Sequence, residues 1–208
     1  MGKLVNIETL DLKQSLVHEI PIEISKLPKL RSLLAYNVDK NKDFSLTRRR
    51  GVVIQDGIEC WGIMQKLCAV EASDSLVKEV GNLKQLRRFR IQKLTSKQGK
   101  DLYASIGQMP HLRSLEVKAI NGDEIIDLQH ISSPPQCLQV LSLMGRLEKI
   151  PDWIAGLCLL FVDMPSHFMD EIHVQETEHR VGPRVFFGNT KGINGLSVDE
   201  VIDSAIFD

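Results

Sequence analysis

The chain has 208 residues, of which 43% are apolar and 25% are charged, and its formal net charge is −1 at pH 7. This composition suits one globular domain with a sizeable core and excludes a disordered or fibrous chain. The longest uncharged apolar run, residues 153–162, is about half as long as a membrane span. With no signal-peptide pattern and no CxxC pair among four cysteines, we expect a reducing, cytoplasmic setting without a membrane span.

One apolar template recurs six times along the chain: apolar-x-x-apolar-x-x-Leu-x-x-apolar-x-apolar. Its third apolar position falls at residues 7, 30, 67, 86, 112 and 138. The last step has period 2, so both of its apolar residues point to one face of a short strand. One such coil cannot bury its own leucines, so about six coils are predicted to stack and to join their strands into a parallel sheet.

A mixed helical domain is the alternative, because three-residue spacing also occurs in helices. Against it, Pro28, Pro110 and Pro135 stand within the recurring pattern, where each would interrupt a helix. The stacked arrangement is therefore the predicted one.

The longest gap between repeats holds an insertion near residues 37–60, which includes KNKDFSLTRRRG with three adjacent arginines. An insertion on one coil of a stack forms a loop. This loop is interpreted either as a basic contact surface or as a solvated excursion.

The apolar pattern changes near the C-terminal end. Continued from Ile154, the template places Asp163 and Pro165 at buried positions, where a carboxylate and a missing N–H are both unfavourable. We therefore expect that no seventh strand forms in register and that Asp163 is exposed. The stack would end near residue 160, or the chain would slip so that Leu159 and Phe161 face inward.

Two segments are predicted on this basis. Residues 1–160 form the repeat region, and residues 161–208 form an atypical acidic tail or a partial C-terminal cap. The second segment carries nine acidic and three basic residues, which gives a net charge of −6. Its Ser197 and Glu200 have the spacing of a helix capping box.

Several phrases resemble the leucine-rich repeat region of plant intracellular disease-resistance proteins, the coiled-coil, nucleotide-binding and leucine-rich repeat receptors. They are "LVNIETLDL", "EIPIEISKLPKLRSLL", "VGNLKQLRRFRI", "MPHLRSLEV" and "LEKIPDWI". The resemblance implies an α/β leucine-rich repeat solenoid, with a parallel sheet on its concave face and irregular or short helical returns on its convex face. It also implies recognition of a protein in defence: a pathogen effector, a host guardee or the receptor's own switch domain. Nothing in the chain resembles the coiled-coil or nucleotide-binding portions.

Patterns of catalytic or metal-binding residues are weak. Cys158 and His167 do not stand in a nucleophile motif, and GNTKGINGLS lacks the glycine spacing of a phosphate loop. The three histidines spaced six apart fit neither a helical metal pair nor one strand face, so they are interpreted as surface residues: His167, His173 and His179.

Three carboxylates follow the fifth predicted strand, where such groups are commonly just solvated: Asp123, Glu124 and Asp127. An acid–base pair is the alternative interpretation of these residues. We predict no enzyme, no cofactor and no metal site.

The residues that alternate with the apolar pair of each strand are predicted to line the concave face. Candidate protein-contact residues on it are Leu34, Tyr36, Glu71, Arg88, Arg90, Glu116, Lys118 and Met144. We expect Arg88 and Arg90 to be exposed, flanked by Glu71 and Glu116, and to contribute less than about 1 kcal/mol to folding. Continuous basic character with interleaved aromatic residues is absent, so nucleic acid is not expected. The alternative function is that of a truncated remnant or decoy without a ligand.

Overall fold

The computed structural model describes residues 5–38, 49–131, 133–148, 153–154, 159–163 and 184–187. Eight strands form the main sheet, in the order β1-β3-β7-β8-β9-β10-β11-β12, and all neighbours in it are parallel. Their bounds are Thr9–Asp11 (β1), Ser32–Leu34 (β3), Lys66–Glu71 (β7), Arg88–Leu94 (β8), Ser114–Ala119 (β9), Val140–Met144 (β10), Leu159–Asp163 (β11) and Arg184–Phe187 (β12). The chain is therefore α/β with a parallel sheet whose neighbours follow one another in sequence.

Smaller elements lie between these strands. Glu19–Ile20 (β2) pairs parallel with Val53–Ile54 (β6), and Asn37–Val38 (β4) pairs antiparallel with Arg49–Arg50 (β5). Two helices follow β7 and β8, at Asp74–Glu79 (α1) and Ser96–Ile106 (α2). Short 3-10 turns occur at Ile22–Ile24, Ile58–Cys60, Val80–Asn82 and Leu128–His130. No helix in the part of the chain that the structure describes is long and apolar enough to cross a membrane.

The core is built from two rows of apolar side chains that run across the sheet. The strand register aligns the first row, and each of these residues is at most 1% exposed: Leu33, Leu67, Phe89, Leu115 and Leu141. The second row is two residues further along each coil, or three in β7, and is fully buried: Ala35, Val70, Ile91, Val117 and Leu143. Burying each leucine contributes about 2 kcal/mol, so the period-2 step of the template supplies much of the stabilisation.

In the third coil, the template positions lie three residues earlier than the sequence predicted. Leu67 pairs with Leu33 and Phe89, so it begins the strand's apolar pair instead of preceding it. The coil then includes Ile58, which is 2% exposed. The extra residue is absorbed by a β-bulge at Ala69, whose φ of 61° lies in the left-handed region.

The insertion returns to the main sheet beside this bulge. Val52 donates its N–H to the Ala69 carbonyl at 2.9 Å and accepts the Glu71 N–H at 2.8 Å. A Cβ on Gly51 would lie 2.7 Å from the Ala69 carbonyl oxygen, so this close approach requires glycine. Of the basic loop predicted here, residues 39–48 lie outside the described residues.

The prediction that no seventh strand forms in register is wrong. β11 pairs with β10 so that Leu160 lies opposite Leu141 and Val162 lies opposite Leu143. The template therefore fits one step earlier than we placed it, with Ile154, which is buried, at its second position. The slipped alternative is also wrong, because Leu159 and Phe161 lie opposite Val140 and Ser142.

β12 adds a further strand in the same direction, with Val185 opposite Leu160 and Phe187 opposite Val162. The main sheet thus continues beyond residue 160. The exposure of Asp163 stays a prediction, and the capping box predicted at Ser197 lies outside the described residues.

The two helices are defined by local capping and pack on each other. The Ser73 hydroxyl accepts the Leu76 N–H at the start of α1, and Thr95 and Gln98 form a capping box at the start of α2. Between the helices, the buried Ser105 hydroxyl donates to the Val77 carbonyl at 2.7 Å. This bond joins the two helices through a backbone carbonyl of α1.

Candidate protein-contact face

The second sheet face is defined here by the strand residues that alternate with the two core rows. Seven of the eight predicted contact residues lie in main-sheet strands at such positions, and Tyr36 follows β3 two residues after Leu34. The parallel register brings pairs of them side by side: Arg90 lies opposite Glu116, and Lys118 lies opposite Met144. The template therefore predicted the membership of one face correctly at these positions.

Burial divides these residues into two groups. Arg88, Arg90 and Glu116 are only 7–9% exposed. The other predicted contact residues are partly exposed: Leu34, Tyr36, Glu71, Lys118 and Met144. The expectation that the two arginines are exposed is therefore wrong. Their small contribution to folding was expected from exposure, and a charged group buried to this degree loses much of its hydration. The partly exposed residues are the accessible part of the face.

Two ion pairs connect neighbouring positions on the face. Arg90 Nε lies 3.4 Å from Glu116 Oε2. Counting side-chain atoms alone, both residues are 11% exposed. Lys93 Nζ lies 2.6 Å from Glu71 Oε1, with Lys93 about half exposed. Glu116 was predicted beside the arginines, and this is confirmed. Glu71 lies opposite Gln92 and pairs with Lys93 instead, because the third coil is set one three-residue step earlier than the template predicted.

The same shift means that residues of the face were missed in the third coil. The apolar pair that the template gives this coil, Val70 and Ala72, would place Ala69 and Ser73 on the face. Lys66 and Cys68 lie there instead, opposite Arg88 and Leu34, respectively. A template with Met64, which is fully buried, at its third apolar position would have placed Lys66 and Cys68 on the face. Lys93 occupies a second bulge with a φ of 56°, for which the sequence offers no signal.

The acidic group after β9 has structural roles. Glu124 Oε1 accepts the N–H of Ser96, the first residue of α2, at 2.6 Å. This bond holds the pKa of Glu124 below its usual value. Asp127 accepts the Gln129 N–H at 3.0 Å, and Asn121 accepts the Asp123 N–H. The carboxylates of Glu124 and Asp127 thus accept backbone N–H groups near them.

The described residues contain neither a disulfide bond nor a cluster of side chains that could bind a metal ion. Among the described residues, Cys60 and Cys137 are exposed, Cys68 is buried, and all three are free thiols. Within the same ranges no group of three His, Cys, Asp or Glu residues could hold a metal ion. Cys158 and the three histidines at 167, 173 and 179 lie outside the described residues.

The repeating coils and their parallel strands agree with a comparison to known families. A model of the leucine-rich repeat region matches residues 1–175. The chain belongs to the leucine-rich repeat family. The predicted resemblance is thereby confirmed for most of the chain, including part of the segment that we had placed after the repeats.

Curated plant proteins are similar to this leucine-rich repeat chain. Disease resistance protein Pik-2 of rice is 26% identical over 188 residues, which cover 76% of this chain and 18% of Pik-2. Disease resistance protein RPM1 of Arabidopsis thaliana is 29% identical over 129 residues, covering 62% of this chain and 14% of RPM1. The chain thus spans less than a fifth of the length of these relatives.

Proposed function

We propose that the chain is a non-catalytic protein-recognition module of plant innate immunity that acts in the cytoplasm. The observation that carries this proposal is the leucine-rich repeat region itself, shared with relatives named as disease resistance proteins. Repeats of this kind build extended binding surfaces from successive strands. In this proposal the coils stack as a solenoid, and the second sheet face is its concave surface.

The contact surface is proposed to be the accessible part of this face. Leu34, Tyr36 and Met144 offer partly exposed apolar area, and Lys118 and Glu71 add charges of both signs. Tyr is enriched among the energetically important residues of protein interfaces, and Met is enriched at interfaces relative to the rest of a protein surface. The buried pair Arg90–Glu116 would hold the strands beneath this surface in a fixed arrangement.

The partner is proposed to be a protein: a pathogen effector, a host guardee or the switch domain of a receptor. The segment 161–208 is proposed as a partial C-terminal cap, since β11 and β12 extend the main sheet within it. A truncated remnant or decoy without a ligand is the alternative to this proposal.

Binding to a switch domain can be measured directly. The tagged chain would be co-precipitated from leaf cells with a coiled-coil and nucleotide-binding fragment of a plant resistance receptor. Replacing Tyr36 and Lys118 together by alanine is expected to reduce recovery of the fragment at least about tenfold. Replacing the exposed residues Lys97 and Lys100 of α2 by alanine controls for lost positive charge and is expected to leave recovery unchanged. Equal recovery with both variants would refute the proposed contact surface, and no recovery with the unmodified chain would favour the remnant.

A further inference from the structure

A second surface lies at the edge of the main sheet where the parallel strands begin. Backbone hydrogen bonds connect the residues just before successive strands: the Arg87 N–H donates to Gln65, the Arg113 N–H to Arg87 and the Gln139 N–H to Arg113, at 2.8–2.9 Å. The Gln65 N–H in turn donates to the Arg31 carbonyl. Neighbours in this series are therefore about one strand spacing apart, roughly 4.8 Å.

The segments that lead into β3, β7, β8, β9 and β10 are basic when taken together, although the last of them has no Lys or Arg. These five segments, residues 26–32, 60–66, 82–88, 108–114 and 134–140, together contain eight Lys or Arg residues and no Asp or Glu. The whole chain has 26 Lys and Arg residues against 27 Asp and Glu residues, so this bias is local. We call the six exposed ones the basic edge: Lys26, Lys29, Arg31, Lys84, Arg87 and Arg113. The other two, Lys66 and Arg88, lie on the second sheet face.

The basic edge is exposed, and little of its charge is neutralised within the described structure. All six of its side chains are exposed. Arg31 Nε lies 3.7 Å from Glu8, and Lys84 donates to the carbonyl of Gln108. Neither Arg87 nor Arg113 has a salt bridge with any residue that the structure describes. Like charges this close together repel each other, so the arrangement favours binding of an anionic partner.

The chemistry around the basic edge favours a protein partner among anionic partners. No aromatic side chain of these five segments is available to stack on a base, because Trp61 is only 1% exposed. Among the described residues of these five segments, Ile63 alone is a large, exposed apolar side chain. One such side chain offers too little apolar area to insert into a lipid surface. Carboxylates presented by a polypeptide require neither feature and pair well with arginine.

We propose that the basic edge binds an acidic protein segment, at a surface separate from the second sheet face. Arg87 and Arg113 are its centre, because they are adjacent, exposed and on consecutive coils. Such a surface accelerates association and sets the orientation in which the partner meets the module. It is independent of the proposed switch-domain contact, since none of the accessible contact residues belongs to it.

The test is a titration of the full chain with fluorescein-labelled poly-L-glutamate, followed by fluorescence anisotropy at low and at moderate salt. The double variant Arg87→Glu/Arg113→Glu is expected to weaken binding about tenfold or more, with the loss shrinking as salt rises. Lys97→Glu/Lys100→Glu makes the same change in net charge on α2 and is expected to weaken binding less than about twofold. Circular dichroism of both variants verifies that they fold.

Two results would overturn the proposal. Equal weakening by the two double variants would mean that only net charge matters. Tighter binding of polyuridylic acid or of phosphatidylserine vesicles than of poly-L-glutamate, at the same salt and with the same dependence on Arg87 and Arg113, would assign the basic edge to nucleic acid or to a membrane.

Discussion

Breaking the ion pair between Arg90 and Glu116 should destabilise the fold strongly. At 3.4 Å and an effective dielectric constant near 20, the Coulomb attraction is about 5 kcal/mol. Since both side chains are 11% exposed, removing one partner leaves a buried charge without its counterion, which costs about 3–5 kcal/mol. We therefore expect Arg90→Met to lower the free energy of unfolding by about 3 kcal/mol. The double variant Arg90→Met/Glu116→Leu should regain most of this loss, because an apolar pair needs no hydration.

The assay is urea denaturation followed by tryptophan fluorescence, since Trp61 is buried in the core and reports its exposure. The matched control is Lys93→Met, which breaks the other ion pair of the same face. Lys93 is 48% exposed, so this change should cost less than about 1 kcal/mol. A loss for Arg90→Met no larger than that for Lys93→Met would refute the reasoning, as would a double variant less stable than either single variant.

Three further outcomes follow from local contacts. Gly51→Ala places a Cβ 2.7 Å from a backbone oxygen and should lower the free energy of unfolding in urea by about 1–3 kcal/mol, whereas Gly62→Ala, with no atom within 4 Å, should change it by less than about 0.5 kcal/mol. Ser105→Ala removes the donor of a buried carbonyl and should cost about 1–2 kcal/mol in the same assay; no loss would mean that the hydroxyl is dispensable. Glu124 has a lowered pKa in the folded chain, so the bond that it accepts from Ser96 stabilises the fold above the unfolded pKa and is lost as pH falls through the folded pKa. Glu124→Gln should therefore be less stable than the unmodified chain at pH 7 and equally stable at low pH; a difference independent of pH would contradict this.

Much of the core could be predicted from the sequence, because a period-2 step after three-residue steps has few structural solutions. The positions of Leu33, Phe89 and Leu115 in the first core row follow directly from this spacing. Local backbone irregularities could not be predicted this way. The bulge at Ala69 adds one residue to β7, so its apolar residues Leu67 and Val70 are three apart instead of two. A regular template treats this spacing as one of its three-residue steps and therefore starts three residues too late.

The register of the strand after β10 was predicted wrongly for a related reason. A template begun at Ile154 reaches Asp163, whereas the register shows that the coil starts one step earlier and that Val162 takes the last apolar position. The apolar pattern had not ended at residue 160. Placing the third apolar position of the template at Leu157 would have predicted this strand.

The candidate face shows what alternation along a strand can and cannot provide. It places Arg90 and Glu116 on the same face of neighbouring strands, but it carries no information on what surrounds them. Their burial depends on the packing of residues distant in sequence. The partly exposed residues Tyr36 and Lys118 were predicted on the same grounds as the buried ones, and only the structure separates the two groups.

Site-specific photocrosslinking tests the central claim most directly. p-Benzoylphenylalanine would be placed at Tyr36, on the proposed contact surface, or at the exposed Ala104 of α2, and the chain irradiated in leaf cells that contain the coiled-coil and nucleotide-binding receptor fragment. Recognition through the second sheet face predicts a covalent adduct with the fragment from position 36 and none from position 104. An adduct from position 104 alone, or from neither position, would contradict it.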